Sequence, residues 1–218
     1  MKEKQIALFD KWRILHPDLV TDGIVNEEAY LKSKIKILYL LKEVNGGENW
    51  DLCEFIADGA RAHTWNNITR WTMGLQNLDK DILWNDIENI SENQRKDILK
   101  SICVVNVKKT SGGHTADSDK LEKAAKEDSA LLRKQLAIYE PEIIVCCGTD
   151  WLYFDYIYNY KPKWEMTSRG IWYVRDEEKI IISYSHPEAR TKDCLLYYGL
   201  IDAVKEIGWG CGQKPGLL

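Results

Sequence analysis

Apolar residues in this chain follow two rhythms. Ile6, Phe9, Trp12 and Leu15 recur at helical spacing and predict a helix over Gln5 to Leu15. His16-Pro17 ends it, because the residue before a proline is pushed out of the helical region. From Lys34 to Leu41 the pattern becomes almost wholly apolar, as in a strand buried on both faces of a parallel sheet. A polar, glycine-bearing turn follows, Lys42-Glu43-Val44-Asn45-Gly46-Gly47.

Helical spacing returns from about Asn66, with Ile68, Trp71, Thr72 and Leu75 on one side. Ser91-Glu92-Asn93-Gln94 suits the capped start of a helix running to about Lys100. Two further apolar strands are predicted at Ile102–Val107 and Ile143–Cys147, the second closed by Gly148. Between them lie a polar loop, Lys109 to Asp119, and a long helix from about Leu121 to Tyr139. A strand pair is expected at Gly170–Val174 and Lys179–Ser183, joined by the charged turn Arg175-Asp176-Glu177-Glu178. Tyr184-Ser185-His186-Pro187 then leads to a last helix from about Lys192 to Ile207. Strands alternating with helices argue for an α/β fold, a mainly parallel sheet between helical layers. No repeat or linker interrupts it, so residues 1–218 read as one domain, with 1–33 a helical extension on a core of 34–210.

Composition narrows the classes. The chain is 44% hydrophobic and 29% charged, ordinary for a folded soluble protein. It contains no apolar run long enough to cross a bilayer, and no apolar segment follows the charged start. No membrane partner and a cytoplasmic location are therefore expected. The six cysteines, at 53, 103, 146, 147, 194 and 211, include no C-x-x-C pair. Adjacent Cys146 and Cys147 point to opposite faces of a strand, so neither a metal nor an iron–sulfur site is expected. The net charge of −4 gives no support for a strong non-specific grip on phosphate backbones, though a local basic patch could still act.

Ligands of such sheets bind beyond the carboxyl ends of the strands. Here those ends carry Glu43 and Asn45, Asn106, and His186-Pro187. Each has an ordinary explanation: a solvated carboxylate, an amide tying a loop, a structural imidazole. An asparagine inside an apolar strand nevertheless needs partners for its amide. Convergence of the three strand ends on one face raises all of them. A carboxylate can position water, an amide can read a base edge, and an imidazole can stabilise developing negative charge.

The order Lys42-Glu43-Val44-Asn45-Gly46, Val105-Asn106-Val107-Lys108, Ile144-Val145-Cys146-Cys147-Gly148 and Ser185-His186-Pro187-Glu188-Ala189-Arg190 resembles the uracil-DNA glycosylase superfamily. It is most similar to the bacterial and archaeal branch whose enzymes usually carry an iron–sulfur cluster. In that branch the first loop reads roughly G-E-x-P-G, the second strand continues N-V-x-K, and a late loop starts H-P. The resemblance covers about Ile35 to Ile207 and implies a three-layer α/β/α fold around a central, mainly parallel four-stranded sheet.

It also implies roles. Glu43 would orient or activate the attacking water, and a one-residue slip would give Asn45 that part. Asn106 would hydrogen-bond the flipped base, and His186 would stabilise the departing base anion. Trp65 is the candidate for stacking on the base, with Trp50 and Phe55 behind it. Lys42 and Gly46 would be further substrate contacts. Arg190 would reach phosphate, as would Lys108 and Lys109 in a patch with Arg95, Lys96 and Lys100. That patch reads equally as a solvated helix end.

The departures are specific. Lys42 and Asn45 stand where glycine and proline are usual, and Glu188 where serine is common. Thr110 replaces a cluster cysteine and no early cysteine pair exists, so no cofactor is expected. The partner implied is DNA containing uracil or another damaged base. A non-catalytic nucleic-acid or nucleobase binder of the same fold is the alternative, and a different small-molecule enzyme on this scaffold is a third. Gly112-Gly113 before a helix could cradle a phosphate. Asp117 and Asp119 in that loop argue instead for a plain connection, with His114 at the surface.

Overall fold

The computed structural model describes residues 1–158, 160–176 and 179–209. The chain opens with helix α1 (Lys2–Leu15), a two-residue strand β1 (Gly23–Ile24) and helix α2 (Glu27–Lys32). Strand β2 (Ile37–Leu41) leads through helices α3 (Leu52–Ala57), α4 (Ala62–Leu75), α5 (Trp84–Ile87) and α6 (Glu92–Leu99) into strand β3 (Ile102–Asn106). Helices α7 (Ser118–Glu127) and α8 (Ser129–Tyr139) precede strand β4 (Ile143–Cys147). A short helix α9 (Asp150–Leu152) runs into a π-helical turn (Tyr153–Ile157). Strands β5 (Trp164–Met166), β6 (Trp172–Asp176) and β7 (Lys179–Tyr184) and helix α10 (Asp193–Ile207) complete the described chain.

The strands form one seven-stranded sheet in the order β1-β3-β2-β4-β7-β6-β5. This differs from the four strands expected. The sheet is mixed: β3-β2-β4-β7 pair in parallel, while β1 and the β6–β5 pair are antiparallel additions at its two edges. Strand β6 is an arm of the strand pair expected above; β1 has two residues and β5 is largely exposed, so their patterns carry little apolar signal.

Every residue of β2, β3 and β4 is buried. Alternate residues feed two separate cores, as the two-residue period of a strand requires. Ile37, Tyr39, Val104 and Val145 pack with Trp71, Leu75 and Ile201 of α4 and α10 on one face. Leu38, Leu40, Val105 and Ile144 pack with Trp12, Leu121 and Leu132 of α1, α7 and α8 on the other. The molecule is therefore an α/β fold with helices on both faces of the sheet.

Two expectations change on contact with the packing. Segment 1–33 is not an appendage: Leu8, Phe9 and Trp12 are core residues, and β1 joins the sheet. The helix expected over 121–139 is two helices. They part at Asp128, a 3%-exposed carboxylate held by His16 Nε2 at 3.0 Å. Ser91 and Gln94 do form the reciprocal cap expected at the start of α6. Of the residues singled out above, Glu177 and Glu178 of the β6–β7 turn and Cys211 lie outside the described residues.

Candidate functional site

Beyond the carboxyl ends of the parallel strands lies a cleft of about 910 Å³. It is lined by Lys42, Glu43, Asn45 and Gly46 after β2, by Asn106 at the end of β3, and by His186 after β7. Trp50, Phe55 and Trp65 add an aromatic wall, and Arg61, His63, Thr64, His114 and Glu188 also line it. Seven predicted site residues thus share one cavity.

Asn106 is 2% exposed, and among the described residues its side-chain Oδ1 has no hydrogen-bond partner. Its backbone N–H donates to Asp22 Oδ2 at 2.7 Å. Asp22, just before β1, is fully buried and accepts from Lys109 Nζ at 2.8 Å on both oxygens and from Gln135 Nε2 at 2.8 Å. Lys109 also donates to Gln135 Oε1 at 2.8 Å and stands 4.8 Å over the Trp12 ring. Desolvation by burial pushes its pKa down from the usual lysine range, against the pull of Asp22. This network fixes the backbone that carries Asn106. Asp22 and Gln135 escaped sequence reading because their only signal is a lone polar residue near apolar runs.

Glu43 sits under the 108–113 loop. Its Oε2 accepts from Lys108 Nζ at 2.7 Å, and Lys108 also donates to the carbonyls of Thr110 and Ser111 at 3.0 and 2.8 Å. The two loops are joined by Lys108 N–H to Lys42 O at 2.9 Å and Gly112 N–H to Val44 O at 2.8 Å. Gly112 is required here: a Cβ at that position would lie 2.0 Å from Glu43 Oε1. The glycine accommodates a carboxylate, not a phosphate. Asn45 is exposed at the mouth, where its Nδ2 lies 3.4 Å from His114 Nδ1.

His186 is half-buried, and its Nδ1 accepts the Glu188 backbone N–H at 3.1 Å. A neutral ring so held carries its proton on Nε2. Burial lowers its pKa from the ordinary histidine value, Glu188 raises it and Lys42 lowers it. The loop is anchored from α4: Asn67 Nδ2 donates to Pro187 O at 2.8 Å, and Arg70 bridges Asn67 Oδ1 at 2.7 Å and Asp193 Oδ2 at 2.9 Å. None of these three anchors was visible as such in the sequence.

The aromatic wall is graded. Trp65 is 5% exposed and belongs to the core, so it forms floor more than a free stacking face. Half-buried Trp50 and Phe55 meet edge to face with ring centroids 5.7 Å apart and present more accessible surface.

The predicted phosphate contacts divide. Lys109 cannot reach a phosphate, because its side chain is fully buried and neutralised by Asp22. Lys108 is a strut for Glu43, and Arg95 is 6% exposed and bonded to Gly59 O and to Asn66. Lys96 and Lys100 pair within α6 to Glu92 and Asp97 at 2.8 Å. Lys108, Lys109 and Arg95 are thus tied inside the fold, while Lys96 and Lys100 stand in exposed ion pairs, as the solvated helix end of the alternative reading. Arg190 is exposed, outside the cleft lining, and Arg61 is an exposed cation on its rim that sequence reading did not single out.

Among the described residues no three His, Cys, Asp or Glu side chains are placed to hold a metal ion, and no helix is long and apolar enough to cross a membrane. A scan against models of known protein families finds no match to this chain, and a search of curated proteins finds none either.

Proposed function

We propose that this protein is a DNA glycosylase of the uracil-DNA glycosylase superfamily, hydrolysing the N-glycosidic bond of uracil or another deaminated base. The observation that carries the reading is Asn106 Oδ1, a buried acceptor without a partner among the described residues, at the floor of an aromatic-walled cleft. Leaving such an atom unsatisfied costs about 1–3 kcal/mol, and a ligand N–H would recover it. A deaminated pyrimidine edge, with a ring N–H beside a carbonyl, matches an amide that accepts and donates side by side. Support also comes from the parallel strand ends that carry Glu43, Asn106 and His186, the arrangement the resemblance implies.

The residues act as follows in this reading. A flipped base enters between Phe55, Trp50 and the Trp65 floor. Glu43, with Oε2 held by Lys108, offers Oε1 to a water. The bond between base N1 and sugar C1′ breaks with its electron pair going to the base. The water oxygen joins C1′, and the proton it sheds is finally carried by the released base. Neutral His186 donates its Nε2 hydrogen to the base as charge develops. Arg61 and Arg190 are the cations free to meet phosphates.

The ion pair between Glu43 and Lys108 favours a second reading, a nucleobase binder that has lost the chemistry. The two separate in a cleavage assay on labelled single- and double-stranded oligonucleotides carrying uracil, hypoxanthine or xanthine. Wild type would run beside Glu43→Gln, Asn106→Ala and His186→Ala, with alkali to break abasic sites. Cleavage by wild type that these variants lose is the expected result. Folded protein that binds the base without cutting any substrate supports the binder, and absence of both overturns the proposal.

A further inference from the structure

Lys42 is the one lysine lining the cleft among the described residues. It directly follows β2, which lies between β3 and β4, and its side chain runs over the end of β4. A Cβ placed on Gly148 would stand 3.6 Å from Lys42 Cε and 3.8 Å from Nζ. Gly148 N–H in turn donates to Tyr184 O at 2.8 Å, two residues before His186. The ammonium therefore faces the His186 side of the cleft. Its field there is felt, since after burial and Glu188 it is a further cause acting on the His186 pKa.

The carboxylates of the cleft lining, and Asp22 in the network beneath Asn106, are engaged elsewhere. Glu43 is paired with Lys108 at 2.7 Å and Asp22 with Lys109 at 2.8 Å. Glu188 accepts from the Thr64 hydroxyl and lies 4.0 Å from His63. Among the described residues no carboxylate pairs with Lys42, so a chain of net charge −4 keeps an unneutralised cation on the His186 side of its cleft, apart from the exposed Arg61 of the rim. Beside it His186 offers an N–H but no charge. A cation next to a neutral donor suits a ligand that becomes negative.

We propose that Lys42 binds the departing base as its N1 anion, supplying the full charge that neutral His186 does not. The proposal rests on the glycosylase reading. When the N1–C1′ bond breaks, the electron pair stays on N1, and the ammonium compensates that charge without giving up its proton. Lys42 is then a catalytic group of this chain, distinct from the water-holding Glu43.

The test compares two free ligands, uracil and 1-methyluracil, the second carrying a methyl group where the sugar is attached and unable to ionise there. Calorimetric binding and ultraviolet difference spectra would be recorded for wild type, Lys42→Met and Lys42→Arg, each first shown to unfold as wild type does. Wild type should bind uracil with the longer-wavelength spectrum of the anion. Lys42→Met should lose that signature and about tenfold or more in uracil affinity, the range of a charged hydrogen bond. It should leave 1-methyluracil affinity unchanged, and Lys42→Arg should restore uracil binding. Equal effects of Lys42→Met on both ligands, or none on either, would overturn the role of Lys42 while the base-binding reading stands. Failure of wild type to bind either ligand would overturn that reading as well.

Discussion

Replacing Lys109 with methionine tests the buried network directly. Methionine keeps most of the stem volume and deletes the ammonium. Asp22 loses two contacts of 2.8 Å, Gln135 Oε1 loses one, and the Trp12 ring loses its cation. Asp22 retains only neutral donors, the Asn106 and Gln135 N–H groups. Removing one partner of a buried pair leaves an uncompensated charge and costs about 3–5 kcal/mol. Against a total stability of roughly 5–15 kcal/mol for a domain, that is a large fraction. Urea unfolding followed by tryptophan fluorescence should show the midpoint falling accordingly with an unchanged slope. Adding Asp22→Asn removes the stranded charge and should recover much of the loss. A wild-type midpoint for Lys109→Met would refute the argument. So would a variant that only weakens DNA binding, since that is how a surface phosphate contact behaves.

Other expectations follow from single contacts. If the proposed base excision holds, Gly112→Ala should cut it to the level of Glu43→Gln, because its Cβ would strike Glu43, whereas Gly113→Ala meets nothing within 4 Å among the described residues and should be silent in the same assay. Gly74→Ala would place a Cβ 2.5 Å from Ile201 Cδ1 between α4 and α10, and overpacking of about 1–3 kcal/mol should outweigh the better helix propensity of alanine; higher stability in urea would contradict this. The His186 ring should titrate by NMR below the unfolded value of about 6.5. On the acid side the unfolded chain then binds more protons, so this residue's contribution to stability is present above that value and declines as pH falls through the window below it; a value at or above 6.5 would sink the account.

The parallel strands were legible because burial on both faces leaves an unbroken apolar run, as at Ile37–Leu41 and Ile143–Cys147. The same property hid which face each residue serves, since Leu38 and Tyr39 look alike in sequence yet enter different cores. Strand β1 was invisible because two residues have no period. Lys109 was misplaced because a lysine is almost always exposed, and its burial depends on Asp22, far away in sequence. Asn106 was flagged correctly as a polar residue in an apolar strand, but the sequence could not say whether its amide was tied or open. The answer lies in packing: the backbone N–H is tied and Oδ1 is open.

The Asp22 network also has a temporal side. During synthesis the acid emerges first, and its cation follows 87 positions later, with Gln135 Nε2 at a separation of 113. Until Lys109 is available, Asp22 belongs in water, so β1 has no electrostatic reason to enter the sheet. Contacts of such long sequence separation carry the largest loop-closure cost and form late. The floor beneath Asn106 should accordingly be among the last parts of the molecule to set. A nascent chain halted before residue 135 would hold Asp22 and Lys109 but not the Gln135 amide that completes their network.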